Sequence, residues 1–259
     1  MTNFIMNKLA LQNQHSRDQF LEFDEPSHIY TVHGEKGYTS VTTLVHKHFE
    51  PFNADKIING ILKKNKEDTS YKYYGMTRQE IKKLWSDNGK KASCDGTKMH
   101  YDIECFYNGI LPDNNSKEYH YFQDFHNDHK NITPYRTEWM IYHVPLKLAG
   151  SIDFVVVNDD GTMDILDWKR CKDIKKYSPW DKYATTSEID YVPDTNYWHY
   201  TLQLNTYKYI LEDQYEKKVK DMYLICLHPD NDGYQKIKVP DMQKEIRQLM
   251  ENRINSLTI

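Results

Sequence analysis

An aspartate and a lysine lie two positions apart in an otherwise apolar stretch, Asp167-Trp168-Lys169, within residues 162–170. Successive residues of a β-strand point to opposite faces, so Asp167 and Lys169 share one face and Trp168 takes the other. A carboxylate can bind a metal ion, and a nearby ammonium group can orient a water molecule or a phosphate. The spacing therefore predicts a chemical site on one face of a strand.

A strong turn sequence at 158–161 predicts a β-hairpin between this strand and the preceding one at 146–158. Directly opposed residues of an antiparallel pair have a constant index sum, which is 320 for Val157 with Met163 and also for Asp153 with Asp167. The two aspartates then face each other about 5 Å apart, where they repel unless a cation lies between them. This register predicts a metal site.

A further candidate metal ligand, His100, lies on a predicted helix that begins at Asp95-Gly96. His100 and Glu104 share one face of this helix at i and i+4, whereas Asp102 leaves that face. Oxygen ligands without cysteine favour Mg²⁺ or Mn²⁺ over Zn²⁺, and an imidazole nitrogen favours Mn²⁺ tolerance. Together with Lys169 these groups predict phosphodiester hydrolysis, because a bound metal lowers the pKa of water and offsets charge developing on phosphate.

Each part of this pattern also has a plainer interpretation. Asp-x-Lys on a strand is a common surface ion-pair pattern, and His100 with Glu104 could be an exposed helical pair. Their joint occurrence in this order favours a functional site. Because side chains alternate along a strand, Asp164 points away from Asp167, and we expect Asp164 to lie outside the site.

Four motifs along the chain resemble those of RecB-type nucleases in the PD-(D/E)XK superfamily. Residues Gly96 to His100 look like the G-x-x-x-H motif, Gly150 to Asp153 like G-x-x-D, Asp167 to Lys169 like D-x-K, and Gln203 to Tyr207 like the Q-x-x-x-Y helix. Among subfamilies the chain is most similar to mitochondrial genome maintenance exonuclease-like proteins and to viral or phage single-strand exonucleases. The cysteine spacing of relatives with an iron–sulfur cluster is absent, as is the proline of the superfamily name.

The resemblance implies one or two Mg²⁺ or Mn²⁺ ions and no iron–sulfur cluster. The implied metal ligands are His100, Asp153, Asp167 and the carbonyl of Trp168, with Glu138 reaching the metal through water. Lys169 would orient or activate the attacking water, so that the catalytic set is Lys169, Asp167, Asp153 and Gln203. The expected substrate-binding residues are Gln203, Tyr207, Thr97, Ser40 and Glu104.

The expected architecture is an α/β core, a mixed central sheet flanked by helices in the PD-(D/E)XK restriction-endonuclease-like manner, with an N-terminal helical lobe. Residues 1–95 are expected to form an arm, a small hairpin and the lobe, residues 96–239 the nuclease core with an insertion at 171–195, and residues 240–259 a C-terminal helix packed on the core. The hairpin is predicted to pair 28–32 with 38–42 around a glycine-bounded turn.

Composition narrows the function classes. The chain has 259 residues, 39% of them hydrophobic, and a net charge of −4, which is typical of a soluble globular protein without a general attraction to polyanions. No apolar run approaches the roughly 18 residues of a membrane span. The four scattered cysteines indicate neither a zinc knuckle nor a disulfide framework. A reducing intracellular compartment, cytoplasm or nucleus, is expected, with viral or phage origin compatible and mitochondrial targeting not expected.

Lysines interleaved with aromatic residues distinguish residues 54–91, which have helical periodicity. This surface is either an ordinary solvated helical face or a basic, aromatic wall that guides one nucleic-acid strand. The four-motif resemblance, together with this region and the long insertion at 171–195, implies a metal-dependent DNase. The expected enzyme is a single-stranded DNA exonuclease of recombination, repair or replication, whose partner is DNA that is single-stranded or has a free end. The alternatives are a structure-specific or nicking endonuclease, a non-catalytic nucleic-acid-binding module, and a nuclease acting on RNA.

Overall fold

The computed structural model describes residues 8–178 and 180–258. The first seven residues of the predicted arm, residue 179 of the predicted insertion and residue 259 lie outside the described residues. The strands are β1 (Leu21–Asp24), β2 (Ile29–Val32), β3 (Thr39–Ser40), β4 (Thr133–His143), β5 (Leu148–Val157), β6 (Met163–Lys169), β7 (Val219–Cys226) and β8 (Gln235–Lys238). The α-helices are α1 (Lys8–Gln12), α2 (Val41–His46), α3 (Ala54–Lys64), α4 (Arg78–Tyr107), α5 (Lys117–Asp128), α6 (Asn196–Gln214) and α7 (Gln243–Leu257), with short 3₁₀ turns at Asp18–Phe20 and Ser187–Ile189.

Strand β5 organises the central sheet. It pairs antiparallel with β4 and with β6, and its first residues pair parallel with β3. Beyond β6 the sheet continues through a parallel β7 and an antiparallel β8. This mixed sheet flanked by helices confirms the predicted α/β class.

Two apolar layers hold β6 in place. On one face α2, α6 and α7 pack over Ile165 and its neighbours. On the other face α4 and α5 pack over Leu166 and Trp168, where the Trp168 indole lies edge-on to Phe122 and Phe125 with ring centroids 5.7 and 5.4 Å away. Because side chains alternate along the strand, this packing leaves Asp167 and Lys169 off the Trp168 face.

The predicted hairpin register is confirmed over the paired part of the ladder, where Val157 opposes Met163 and Phe154 opposes Leu166. The ladder ends at the pair of Phe154 with Leu166, one step before Asp153 and Asp167, so the direct opposition of the two aspartates stays a prediction. The Asp153 carboxylate accepts the Trp168 N–H at 2.9 Å. Strand β6 continues beyond that point as the parallel partner of β7.

The predicted small hairpin is also wrong. Strand β2 pairs with β1, in the register Leu21 to Val32, and β3 joins the central sheet beside β5. Leu21, Tyr30 and Val32 bury an apolar cluster against Tyr142 and Ala149, which fixes β1 and β2 on the edge of the sheet. The turn at 34–37 therefore leads into the core and does not close a hairpin.

The predicted helix start at Asp95-Gly96 is wrong, because α4 begins seventeen positions earlier with a capping box in which Thr77 and Glu80 satisfy each other's backbone N–H groups. Lys91 pairs with Asp95 at 3.0 Å, which supports the helix next to Gly96. A helical glycine costs about 1 kcal/mol relative to alanine. The predicted boundary at residue 95 thus falls inside one helix. Among the described residues no helix is both long and apolar enough to cross a membrane.

Candidate active site

Three side chains from three elements meet beside the middle of β5. His100 on α4 lies with Nδ1 3.3 Å from Glu138 Oε1 on β4 and 3.6 Å from Asp153 Oδ2 on β5. One donor atom of each lies within 4.8 Å of the others, a spacing that could hold a metal ion. The opposite nitrogen of His100, Nε2, donates to the Trp168 carbonyl at 3.0 Å. Four of the five predicted ligand groups therefore lie together.

Glu138 reaches this position through an unusual backbone. Its φ is +43°, in the left-handed region that a non-glycine residue occupies at a cost of roughly 1–3 kcal/mol. It lies between Thr137 and Trp139, which pair with Phe154 and Ile152 of β5. The Ser151 hydroxyl donates to Glu138 Oε2 at 3.1 Å and fixes the carboxylate. Strain of this kind is concentrated at functional sites.

Asp167 and Lys169 form a buried ion pair on β6, with Lys169 Nζ 2.6 Å from Asp167 Oδ2. Only 1% of Asp167 is exposed, and its Oδ1 has no hydrogen-bond partner among the described residues. Lys169 Nζ also lies 4.6 Å from the centroid of the Tyr200 ring on α6. The predicted fifth ligand, Asp167, is thus held by the lysine and keeps one oxygen uncommitted.

Burial and crowded like charges perturb the carboxylates. Burial raises the pKa of Asp153, and burial together with Asp153 raises the pKa of Asp167 to about 7 although Lys169 opposes the shift. Burial lowers the pKa of His100, but Asp153 and Glu138 more than offset it and bring the value to about 9. Burial likewise lowers the pKa of Lys169, and Asp167 and Asp153 raise it above its usual range. The site therefore favours bound positive charge.

Glu104 lies one helical turn after His100 on α4. Burial and the neighbouring Glu138 raise the pKa of Glu104 to about 7. It lines a cavity of about 110 Å³ together with Asp18 and Arg136. Glu104 is therefore placed to act on Glu138 and His100 through its charge.

The glycine of the G-x-x-D motif and the tyrosine of the Q-x-x-x-Y motif meet across the sheet. The Tyr207 ring on α6 lies against Gly150, and Gln203 Nε2 donates to the Tyr207 hydroxyl at 3.2 Å. Tyr207 is buried, so its contact with substrate would pass through Gln203. The structure thus places Gln203 at the surface of the site and Tyr207 beneath it.

Ser40 precedes α2 and Thr97 lies on α4. The Ser40 hydroxyl caps α2 by accepting the Thr43 N–H at 3.0 Å. Thr97 is exposed on α4 one turn before His100. As predicted, Asp164 and Asp102 point elsewhere, Asp164 to the Asp221 N–H and Asp102 to Lys98.

Two site neighbours, His199 and Tyr200, were not predicted from sequence. They precede Gln203 by four and three positions, so the helical period places all three on neighbouring parts of one face of α6. This spacing in the sequence could have predicted both residues as neighbours of Gln203. Tyr200 and Gln203 line a cavity of about 130 Å³ next to Lys169. His46 and His199 line this cavity and also a larger depression of about 910 Å³, which we call the lateral groove. The lateral groove is lined by Thr43, His46, Lys47, Phe49, Glu50, Pro51, Phe52, Asn53, Lys56, Ile57, Lys182, Thr185, Asp194 and His199.

Comparison with known proteins identifies the family. Residues 43–258 match the family model described as the PD-(D/E)XK nuclease superfamily. No curated protein matches the chain significantly. Among solved structures, the protein SSO0001 is similar at 13% identity and a TM-score of 0.34, covering 99% of this chain and 86% of that one. A protein from Eubacterium rectale, provisionally described as an exonuclease, is similar at 15% identity and a TM-score of 0.40, covering 86% of this chain and 82% of its own. Because the family match spans most of its length, the chain belongs to the PD-(D/E)XK nuclease superfamily.

Proposed function

We propose that this nuclease is a divalent-metal-dependent deoxyribonuclease that degrades single-stranded DNA from an end, in recombination, repair or replication. The observation that carries the proposal is the convergence of His100, Glu138 and Asp153 within 4.8 Å, next to the buried pair of Asp167 and Lys169. Nothing in ordinary packing requires five ionisable groups to converge in this way, since burying charged groups is costly.

The donor set fits a hard divalent ion. Three carboxylates, one imidazole and one backbone carbonyl suit Mg²⁺ or Mn²⁺, and the uncommitted Oδ1 of Asp167 is a buried acceptor in need of a cation. We assign His100, Asp153, Asp167 and the Trp168 carbonyl as ligands, with Glu138 beside them. A bound ion would lower the pKa of water and offset the charge that develops on phosphate.

The protein's own groups would then position the reactants. Lys169 is held by Asp167 on one side and by the Tyr200 ring on the other, so its ammonium group can orient the attacking water or a phosphate oxygen. Gln203, fixed by the Tyr207 hydroxyl, would hold the substrate backbone. Glu138, fixed by Ser151, would complete the metal shell.

The lateral groove supports a single-stranded substrate. It shares the lining residues His46 and His199 with the cavity at Tyr200 and Gln203. Lys47, Lys56 and Lys182 lie in its walls, where they can attract phosphates. Phe52 in this groove is 73% exposed, an apolar ring that can stack on an unpaired base. Glu50 pairs with Lys56 at 3.4 Å and with Lys182 at 2.7 Å, so DNA phosphates would have to displace it.

Incubation of end-labelled single-stranded DNA, duplex DNA and RNA with Mg²⁺ or Mn²⁺ tests the proposal. We expect progressive shortening of single-stranded DNA, loss of activity in Lys169→Ala, and full activity in Lys220→Ala, a matched lysine exposed on β7 and paired with Asp160. Equal activity of wild type and Lys169→Ala would refute the catalytic assignment. A preference for RNA would refute the assignment of single-stranded DNA as the substrate.

The alternative with the same site is a structure-specific or nicking endonuclease. Covalently closed single-stranded circles distinguish the two functions, because an exonuclease requires an end. Linearised circles would favour the endonuclease, whereas intact circles alongside degraded linear DNA support the exonuclease.

A further inference from the structure

Two of the four cysteines lie in contact at the carboxyl end of β6. Cys171 Sγ and Cys226 Sγ are 3.6 Å apart, and the Cys226 thiol donates to the Cys171 carbonyl at 2.6 Å. They are fifty-five positions apart in the chain, and no short sequence motif predicts that they lie together. The sequence interpretation of scattered cysteines thus missed a dithiol created by the parallel pairing of β6 with β7.

The dithiol adjoins the catalytic lysine. Lys169 is the β-ladder partner of Cys226, and its carbonyl accepts the Leu227 N–H at 2.8 Å. Cys171 follows Lys169 by two residues. Backbone movement that brings the two sulfurs together can therefore reach the backbone of Lys169 from both strands.

Accessibility differs between the two thiols. Cys226 is fully buried, whereas Cys171 is partly exposed. A small oxidant can therefore reach Cys171 from solvent, and Cys226 is the sulfur already in place to resolve the product. Low exposure of the second thiol also excludes a second protein chain as its partner.

We propose that Cys171 and Cys226 are a reversible modification site, oxidised by a peroxide to a disulfide that slows the nuclease, an inference whose second part rests on the proposed function. The Cys171 sulfur attacks one peroxide oxygen, the O–O bond breaks, and one water leaves as a sulfenic acid forms. The Cys226 sulfur then attacks Cys171, and the sulfenic oxygen leaves as a second water. Two electrons pass from the two thiols to one peroxide, and a thiol reductant reverses the reaction.

The disulfide should slow catalysis by displacing Lys169 from its position in the site. Its sulfurs lie about 2.05 Å apart, so they must approach by more than 1 Å from the separation in the reduced protein. A displacement of about 1 Å at a reacting group can reduce a rate by about a hundredfold. We expect at least a tenfold slower nuclease after oxidation, with full recovery in dithiothreitol.

The test uses the full chain with the exposed Cys94 changed to serine, so that surface oxidation does not contribute. The folded protein is treated with hydrogen peroxide in the presence of a chelator, alkylated, digested and analysed by mass spectrometry. We expect one peptide pair joining Cys171 to Cys226. The oxidised protein is then assayed on single-stranded DNA before and after dithiothreitol.

Cys171→Ser and Cys226→Ser, each in the same background, are the controls, and both should give a nuclease whose rate peroxide does not change. The more exposed Cys171→Ser serves if the buried substitution impairs folding. Two alkylated thiols after oxidation would overturn the site, and a cross-linked protein with an unchanged rate would overturn its coupling to Lys169. Because mass reports the disulfide directly, a protein that cross-links but degrades no DNA would count against the nuclease proposal alone.

Discussion

The Tyr207 ring lies so close to Gly150 that a Cβ atom at position 150 would approach Tyr207 Cε1 to 2.8 Å. The same atom would lie 3.3 Å from Val41 Cγ2 on α2. Two motifs that are distant in sequence are thus joined by one packing contact. The contact places α6 over β5 and, through the hydroxyl of Tyr207, sets the position of Gln203.

Gly150→Ala should therefore destabilise the chain and reduce activity together. The added methyl group must displace a buried ring between a strand and a helix, and overpacking of this kind costs typically 1–3 kcal/mol. Urea unfolding gives the stability and a DNA assay gives the rate. Gly60→Ala in α3, where a Cβ meets nothing within 4 Å, is the matched control and should stabilise the chain slightly. Equal stability of Gly150→Ala and wild type would contradict the packing argument.

Gly96→Ala should separate stability from activity. A Cβ at position 96 meets nothing within 4 Å, and the residue is in the interior of α4, so alanine should add up to about 1 kcal/mol of stability. If the space in front of Gly96 receives the DNA backbone, the same change should reduce activity severalfold. Gly89→Ala, also helical and open, should stabilise the chain with no loss of activity. Loss of stability in Gly96→Ala would show that the glycine serves the fold.

The sequence predicts those parts of the fold and site that depend on residues near one another in the chain, and it misses those that depend on distant residues. Hairpin β5–β6 could be predicted because its turn and alternation are local, and the order of the motifs then indicated the site. The left-handed backbone of Glu138 could not be predicted, since a glutamate carries no signal for φ above zero and surrounding structure imposes it. The contact of Cys171 with Cys226 follows from a parallel strand pairing that no local pattern specifies. The continuity of α4 through Gly96 reflects packing that overrides a poor local helix former.

Divalent metal should stabilise the chain through the carboxylates around His100. Binding to the folded state alone adds about 2.7 kcal/mol at a hundredfold excess over Kd, which raises the melting temperature of a chain of this size by several degrees. Asp153→Asn should abolish most of the shift produced by Mn²⁺. Asp164→Asn is the matched control, because Asp164 lies on the other face of the hairpin and bonds to Asn158 and the Asp221 N–H. The same Mn²⁺ shift in Asp153→Asn as in wild type would remove Asp153 from the metal site.

Phe52→Ala should weaken binding of single-stranded DNA if bases stack in the lateral groove. Base–aromatic stacking contributes about 1–3 kcal/mol per base, which corresponds to roughly a fivefold to hundredfold rise in Kd. Fluorescence anisotropy with a labelled oligonucleotide measures this, with Ca²⁺ replacing Mg²⁺ to prevent cleavage. Leu111→Ala removes another highly exposed apolar side chain, 83% exposed and outside the groove lining, and should leave Kd unchanged. Equal losses in both variants would exclude a specific stacking site.

Acidification should destabilise the fold through buried His143. Its Nδ1 accepts the Leu146 N–H at 3.2 Å and its Nε2 donates to Asp213 at 3.0 Å, so the neutral imidazole is the one that fits. Burial lowers the pKa of His143 below its usual 6.5, and Asp213 offsets this only in part. A folded pKa below the unfolded one means that the unfolded chain takes up the proton first. The stabilisation is therefore complete above about pH 6.5 and is lost as the pH falls from there through the folded pKa. Urea unfolding at about pH 8 and about pH 5.5 should show that His143→Gln loses less free energy of unfolding between the two pH values than wild type does. The exposed His120→Gln is the control. An equal loss in all three proteins would exclude His143 as a source of the acid sensitivity.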